Sequence, residues 1–260
     1  MLLSGFFMDY FIVILVAFGA SMLTFFSGFG LGTMLTPVFL FFFPPEIAVA
    51  TTAVVHFLNN LFKLVLVGKH AVKNVIIKFG LPAIIGAFAG AALLGWLSDF
   101  DQTITFLYFE TSALNLILGA LIFIFAIVEL IPSLEKAQLP ASWMFGGGVL
   151  SGFFGGLSGH QGALRSAFLV RFGLKKEQFI ASGIVIACLV DSIRIGTYAF
   201  TFEASHFSNN VPYIISATLA AFVGAIIGKQ LLQKVTINIL QKFVGILMLI
   251  IAVLLILGII

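Results

Sequence analysis

The sequence predicts an all-α polytopic membrane protein made of two inverted repeats, each with a glycine-interrupted short or re-entrant helix, and about 8–10 membrane helices in all. Three observations carry this. Of the 260 residues 61% are hydrophobic and 9% are charged, with a mean hydropathy of +1.21, against about 25% charged residues in soluble domains. Several apolar windows reach the roughly 20 residues that a bilayer crossing needs. The chain also resembles itself when slid by 131 positions.

Thirty-one Phe against ten acidic groups leave too little polar surface to wet a globule, whereas lipid accepts Phe, Leu and Ile directly. The net charge of +3 is spread along the chain, which speaks against nucleic acid as a partner. The single cysteine, Cys188, excludes an intramolecular disulfide and a Cys-based metal centre. No phosphate-binding loop occurs, so no cofactor or ATP site is expected and any driving force comes from a gradient or a partner.

Five windows, residues 6–26, 76–97, 112–131, 211–231 and 236–260, carry one charge each: Asp9, Lys78, Glu129, Lys229 and Lys242. The first lacks a basic n-region and runs into further apolar sequence, so it reads as a retained helix and not a signal peptide. Residues 45–67 and 175–200 are as long but hold polar groups: His56, Asn59, Asn60 and Lys63 in one, Asp191, Ser192 and Arg194 in the other. Shorter stretches at 33–43 and 163–173 follow two breaks, Ser27-Gly28-Phe29-Gly30-Leu31-Gly32 and Gly155-Gly156-Leu157-Ser158-Gly159-His160-Gln161-Gly162. Non-helical backbone at membrane depth survives only where protein or a wet cavity satisfies it, so each break marks an interior site.

Lys63, Lys69, Lys73 and Lys78 crowd one loop without an acid, whereas residues 98–111 and 201–210 hold acids and no base. The positive-inside rule puts the first loop in the cytoplasm and the other two outside. Propagating that sign places both termini outside. It gives a first membrane repeat at 1–132, a cytoplasmic linker at 133–140 and an inverted second repeat at 141–260.

At the 131-residue offset Ser27, Gly28, Phe41, Glu46, Ala50, Val54 and Leu58 meet identical residues, Asn60 meets Asp191, and Lys63 meets Arg194. Helix 45–67 then runs outside to inside and helix 175–200 runs back. Inverted repeats with interrupted helices are the architecture of secondary transporters, with the site at the repeat interface.

A helix that starts inside the membrane aims unpaired N–H groups and about half a positive charge at whatever fills the break, which suits an anion. Candidate binding residues are Ser27, Gly28, Gly30, Gly32, Ser158, Gly159, His160, Gln161 and Gly162. Arg165 is either an anion ligand or a snorkelling anchor. Asp191 and Arg194, three apart on one helix face, are expected to pair. His56, Asn59, Asn60 and Lys63 form one stripe, with Asn60 lining a pathway, Asn59 as interhelical glue and Lys63 snorkelling to the cytoplasmic interface. Asp191, Arg194 and His56 are the coupling or gating candidates. Gly146, Gly147 and Gly148 read as a tight helix contact.

The run Ser27-Gly28-Phe29-Gly30-Leu31-Gly32 with Pro37, Pro45 and the helix 48–53, repeated degenerately at Ser158-Gly159 and Ala181-Ser182, resembles the TauE/SafE sulfite-exporter family of membrane permeases. That resemblance covers essentially the whole chain. It implies ion-coupled export of small sulfur-containing oxyanions, such as sulfite or organosulfonates, across the bacterial inner membrane. The chain departs from the family pattern at Gly30-Leu31-Gly32-Thr33 and at His160-Gln161. Two other readings stand beside it: a proton- or cation-coupled carrier or channel centred on Asp191, and an intramembrane serine hydrolase using Gly156-Leu157-Ser158-Gly159 with His160, or His206 in an expected external loop, as base.

Overall fold

The computed structural model describes residues 2–27, 30–100, 103–106, 109–131, 141–203, 210–231 and 237–260. Among these are ten helices: α1 (Leu2–Ser27), α2 (Leu31–Phe39), α3 (Pro45–Val67), α4 (Lys73–Ser98), α5 (Ala113–Leu130), α6 (Met144–Ser158), α7 (Gly162–Leu169), α8 (Lys176–Thr201), α9 (Val211–Leu231) and α10 (Ile237–Ile256). α3, α4, α5, α8 and α9 each contain a stretch long and apolar enough to cross a bilayer. The chain is an all-α, multi-pass membrane protein. The linker expected at 133–140 lies outside the described residues.

Local sequence explains the ends that matter. α3 opens on Pro44-Pro45 with Glu46 in its first turn, because proline loses no hydrogen bond there and an acid favours the positive helix end. α8 opens with Lys175 N–H donating to Gln178 Oε1 at 3.1 Å. α6 stops at Gly159, whose φ of +83° is the left-handed conformation that glycine adopts without a Cβ penalty. α4 contains a π turn over Ile76–Gly80 just ahead of Pro82, which accommodates the missing proline N–H.

Three expectations are corrected. The short helices are displaced from 33–43 and 163–173 to Leu31–Phe39 and Gly162–Leu169. Gly155 and Gly156 are helical, so the second break shrinks to Gly159-His160-Gln161. The acidic loop expected outside contains a small antiparallel hairpin, β1 (Thr103–Phe106) with β2 (Phe109–Ser112). It is tied to the chain end by Thr111 Oγ1 donating to Leu255 O at 3.1 Å and Asn115 Nδ2 donating to Ile260 O at 3.2 Å.

Close packing through glycine recurs in several helix pairs. α4 lies along α6, where a Cβ on Gly86 or Gly90 would overlap the carbonyls of Val149 and Phe153. α9 lies along α1 in the same way, with Gly224 and Gly228 against the carbonyls of Phe18 and Met22. Phe18 and Val149, like Met22 and Phe153, are 131 residues apart, whereas Gly86 and Gly224, like Gly90 and Gly228, are 138 apart. α5 and α10 meet antiparallel, Gly119 against Ala252 and Ile256, Gly245 against Ala126 and Leu130. α3 and α8 are antiparallel too: Leu64 and Val67 at the end of α3 pack on Ile180 and Ile184 near the start of α8. Small residues supply these contacts because lipid gives no hydrophobic drive between helices, so close approach and dispersion must.

Candidate functional site

α3 and α8 cross where Asn60 meets Asp191. Asp191 is fully enclosed, and both of its oxygens are engaged. Oδ1 accepts from Arg194 Nε at 2.9 Å and Gln161 Nε2 at 3.2 Å, with Arg194 Nη2 a further 2.9 Å contact. Oδ2 lies 2.7 Å from His56 Nδ1 and 3.5 Å from Asn60 Nδ2. With Nδ1–H donating to the carboxylate, His56 turns Nε2 toward Gly30, where a Cβ would sit only 3.0 Å away. A carboxylate sealed from water at membrane depth is sustained only by such a complete set of donors.

The network reaches both breaks. Arg194 Nη1 donates to Gly155 O at 3.2 Å, and Arg165 Nη1 donates to Gln161 Oε1 at 3.2 Å. Tyr198, one turn beyond Arg194, donates its hydroxyl to Gly156 O. Ser151 Oγ holds the Gln161 carbonyl at 3.1 Å. The breaks touch each other as well: a Cβ on Gly32 would lie 3.4 Å from Gly159 O.

Beside this crossing lies a cavity of about 30 Å³, walled by Gly30 and Leu31, His56, Asn60 and Lys63, Arg165 and Ser166, and Gly183 and Ile184 among others. Among the described residues its lining holds the basic side chains Lys63 and Arg165 and no carboxylate. A cavity of that size admits water, since about 10–15 Å³ is enough to hold one molecule. The N-terminal residue of α2, Leu31, forms part of the wall, so the positive end of that helix borders the same space.

Of the residues singled out by sequence, His56, Asn60, Gln161, Arg165, Asp191 and Arg194 form one connected polar cluster, and Gly30, Gly32 and Gly159 border it. Gly162 is buried as the first residue of α7. Ser27 ends α1 with its side chain outside the described residues, and Gly28 lies outside them altogether. Ser158 and His160 face elsewhere. Ser158 Oγ donates to Phe154 O at 3.1 Å, while His160 stacks on Phe125 with ring centroids 5.4 Å apart and holds Nδ1 2.9 Å from Ser158 O. His160 Nδ1 also lies 3.2 Å from Ser158 Oγ, but that hydroxyl gives its proton to Phe154 O, so the pair is not arranged as nucleophile and base and the hydrolase reading gains nothing.

Lys63 was expected at the interface but is 4% exposed and lines the cavity, and Arg165 at 5% is likewise no snorkelling anchor. Asn59 acts as glue, with Ser21 Oγ of α1 donating to its Oδ1 at 3.1 Å. Sequence reasoning missed Gly183 and Tyr198. Gly183 carries no chemical group to notice, and Tyr198 becomes recognisable only as the residue one turn after a buried arginine. The glycines from 146 to 148 divide: Gly147 and Gly148 meet Phe168 and Phe79, while Gly146 meets nothing.

A family model described as sulfite exporter TauE/SafE matches residues 13–255. No curated protein and no solved structure matches the chain.

Proposed function

The chain belongs to the sulfite exporter TauE/SafE family, and from that premise we propose that it is a secondary transporter exporting small sulfur-containing oxyanions such as sulfite or organosulfonates. The family is one of membrane transporters, and the apolar helices make this chain multi-pass. The observation that carries the finer reading is the cavity at the α3–α8 crossing, which holds Lys63 and Arg165 and no acid. An anion leaving water for a low-dielectric interior needs opposite charge and donors to replace its hydration. A guanidinium fork matches two oxygens of an oxyanion, and Lys63 adds a point charge.

Residues 1–132 and 141–260 act in this reading as inverted repeats that rock about the crossing, in the bacterial inner membrane with both termini outside. The entering anion competes with Gln161 for Arg165 and with Asp191 for Gln161, which loosens the contacts that tie α7 to α8. Asp191, His56 and Arg194 form the group whose pairing changes between states. A coupling proton or cation belongs there, and the complete pairing of Asp191 with donors disfavours a cation carrier as the sole function.

The test is thermal stabilisation of the purified protein by sulfite, sulfate, thiosulfate, sulfonates, chloride and carboxylates, beside an Arg165→Met variant. Selective stabilisation by a sulfur oxyanion that disappears in the variant supports the site. Unchanged stabilisation in Arg165→Met removes the cavity from the mechanism, and no stabilisation by any anion removes the anion.

A further inference from the structure

The cavity occupies one side of the crossing, and its mates at the 131-residue offset mark out the other. Asn60, Lys63 and Gly183 line the cavity; their mates are Asp191, Arg194 and Thr52. On the mates' side the chain is closed, for Thr52, Asp191 and Arg194 are all 0% exposed. The closure is imperfect in its polar bonding. Among the described residues Thr36 Oγ1 and Thr52 Oγ1 are buried with no hydrogen-bond partner, although sealing a hydroxyl without one is unfavourable. Both gather at the contact between the breaks: Thr52 Cγ2 lies 3.6 Å from a Cβ position on Gly32, and Thr36 Oγ1 lies 3.4 Å from one on Gly159, itself 3.2 Å from Arg194 Nη1.

We propose that Thr36, Thr52 and Arg194 line a second oxyanion vestibule, closed in this structure, which opens on the opposite membrane face when the Lys63 cavity shuts. Unpartnered hydroxyls are costly in a seam that stays dry and useful in one that fills with water and anion. The two threonine hydroxyls and the guanidinium are the donors an oxyanion takes there. The vestibule is not a copy of the cavity, because the mate of Arg165 is Met34 and the cation is Arg194 alone, shared with Asp191. This inference rests on the transporter reading above and on the repeat.

Because Cys188 is the only cysteine, a Cys188→Ala background allows single-site labelling of the full chain. Gly183→Cys and Thr52→Cys, a pair of repeat mates, are reconstituted in sealed vesicles and exposed to a membrane-impermeant maleimide from each face, with and without sulfite, while sulfite flux is followed in the same vesicles. At Gly183 a Cβ meets Arg165 Nε at an ordinary 3.5 Å, so the thiol fits. The expected result is that Gly183→Cys reacts from one face and Thr52→Cys from the other only, with sulfite changing the two rates in opposite directions. Labelling of both from one face overturns the proposal. So does a Thr52→Cys that never reacts while Gly183→Cys reacts and sulfite flux continues, which leaves the transporter reading intact. Absent flux, with neither rate altered by sulfite, instead overturns the transporter reading and the vestibule with it. Should Thr52→Cys fail to fold, Thr36→Cys probes the same wall under the same criteria.

Discussion

Asp191 and Arg194 lie three residues apart on one helix, both fully enclosed, and the cost of breaking that pair differs from its net worth. Asp191→Asn leaves a guanidinium buried without its counter-charge and is expected to cost about 3–5 kcal/mol, read as a fall in the unfolding midpoint of the detergent-solubilised protein. The double variant Asp191→Asn with Arg194→Gln removes both charges and is expected to recover a substantial part of that loss; an additive loss would show that the two side chains are not energetically coupled. Arg165→Met is expected to behave differently, with near-normal extraction and folding and the loss of stabilisation by sulfite. At this scale the sequence was legible where spacing brings residues together, as for Asp191 and Arg194. It was silent where the partner comes from another helix: nothing near His56 in the chain announces that its ring meets a carboxylate at 2.7 Å.

At the scale of elements, glycine decides how close helices come. The α4–α6 contact depends on Gly86 and Gly90, where any Cβ would overlap a carbonyl of α6. Gly86→Val is therefore expected to force the helices apart and lower thermal stability sharply. Gly196→Ala is the matched control, since a Cβ there meets nothing within 4 Å; it is expected to be neutral or to stabilise by up to about 1 kcal/mol through helix propensity. Comparable midpoints for the two variants would remove packing as the reason for these glycines. α6 shows why glycine is hard to read from sequence. Six of its fifteen residues are glycine, a composition of low helix propensity, yet the helix forms because its bare faces fit against α4 and Phe168. The same residue type ends the helix at Gly159, where a positive φ is needed.

For the whole molecule, the contacts come in exchanged pairs: α1 with α9 and α6 with α4, while α3 with α8 and α5 with α10 lie antiparallel. On the proposed division into 1–132 and 141–260, each half lends its first helix to the fourth helix of the other, so neither half buries its own interior alone. Expressed separately, residues 1–132 are expected to aggregate or to be degraded, and co-expression with 141–260 is expected to restore a folded, extractable complex. Recovery of a stable 1–132 fragment by itself would contradict this. Placing both termini outside predicts that tags at either end are reached by an impermeant reagent in intact spheroplasts; reaction at one end only would break the inversion.

The sequence by itself determined the solvent, the approximate spans, the two breaks and the offset, because burial in lipid, glycine backbone freedom and repeated chemistry are written in residue types and their spacing. Only the tertiary structure decided that α3 and α8 cross at Asn60 and Asp191, that Lys63 and Arg165 face one cavity, and that His160 turns away to Phe125. Those outcomes depend on which helix faces meet across more than a hundred residues of chain. Helices in lipid select their partners by shape and hydrogen bonding, so that choice has no one-dimensional periodicity to betray it.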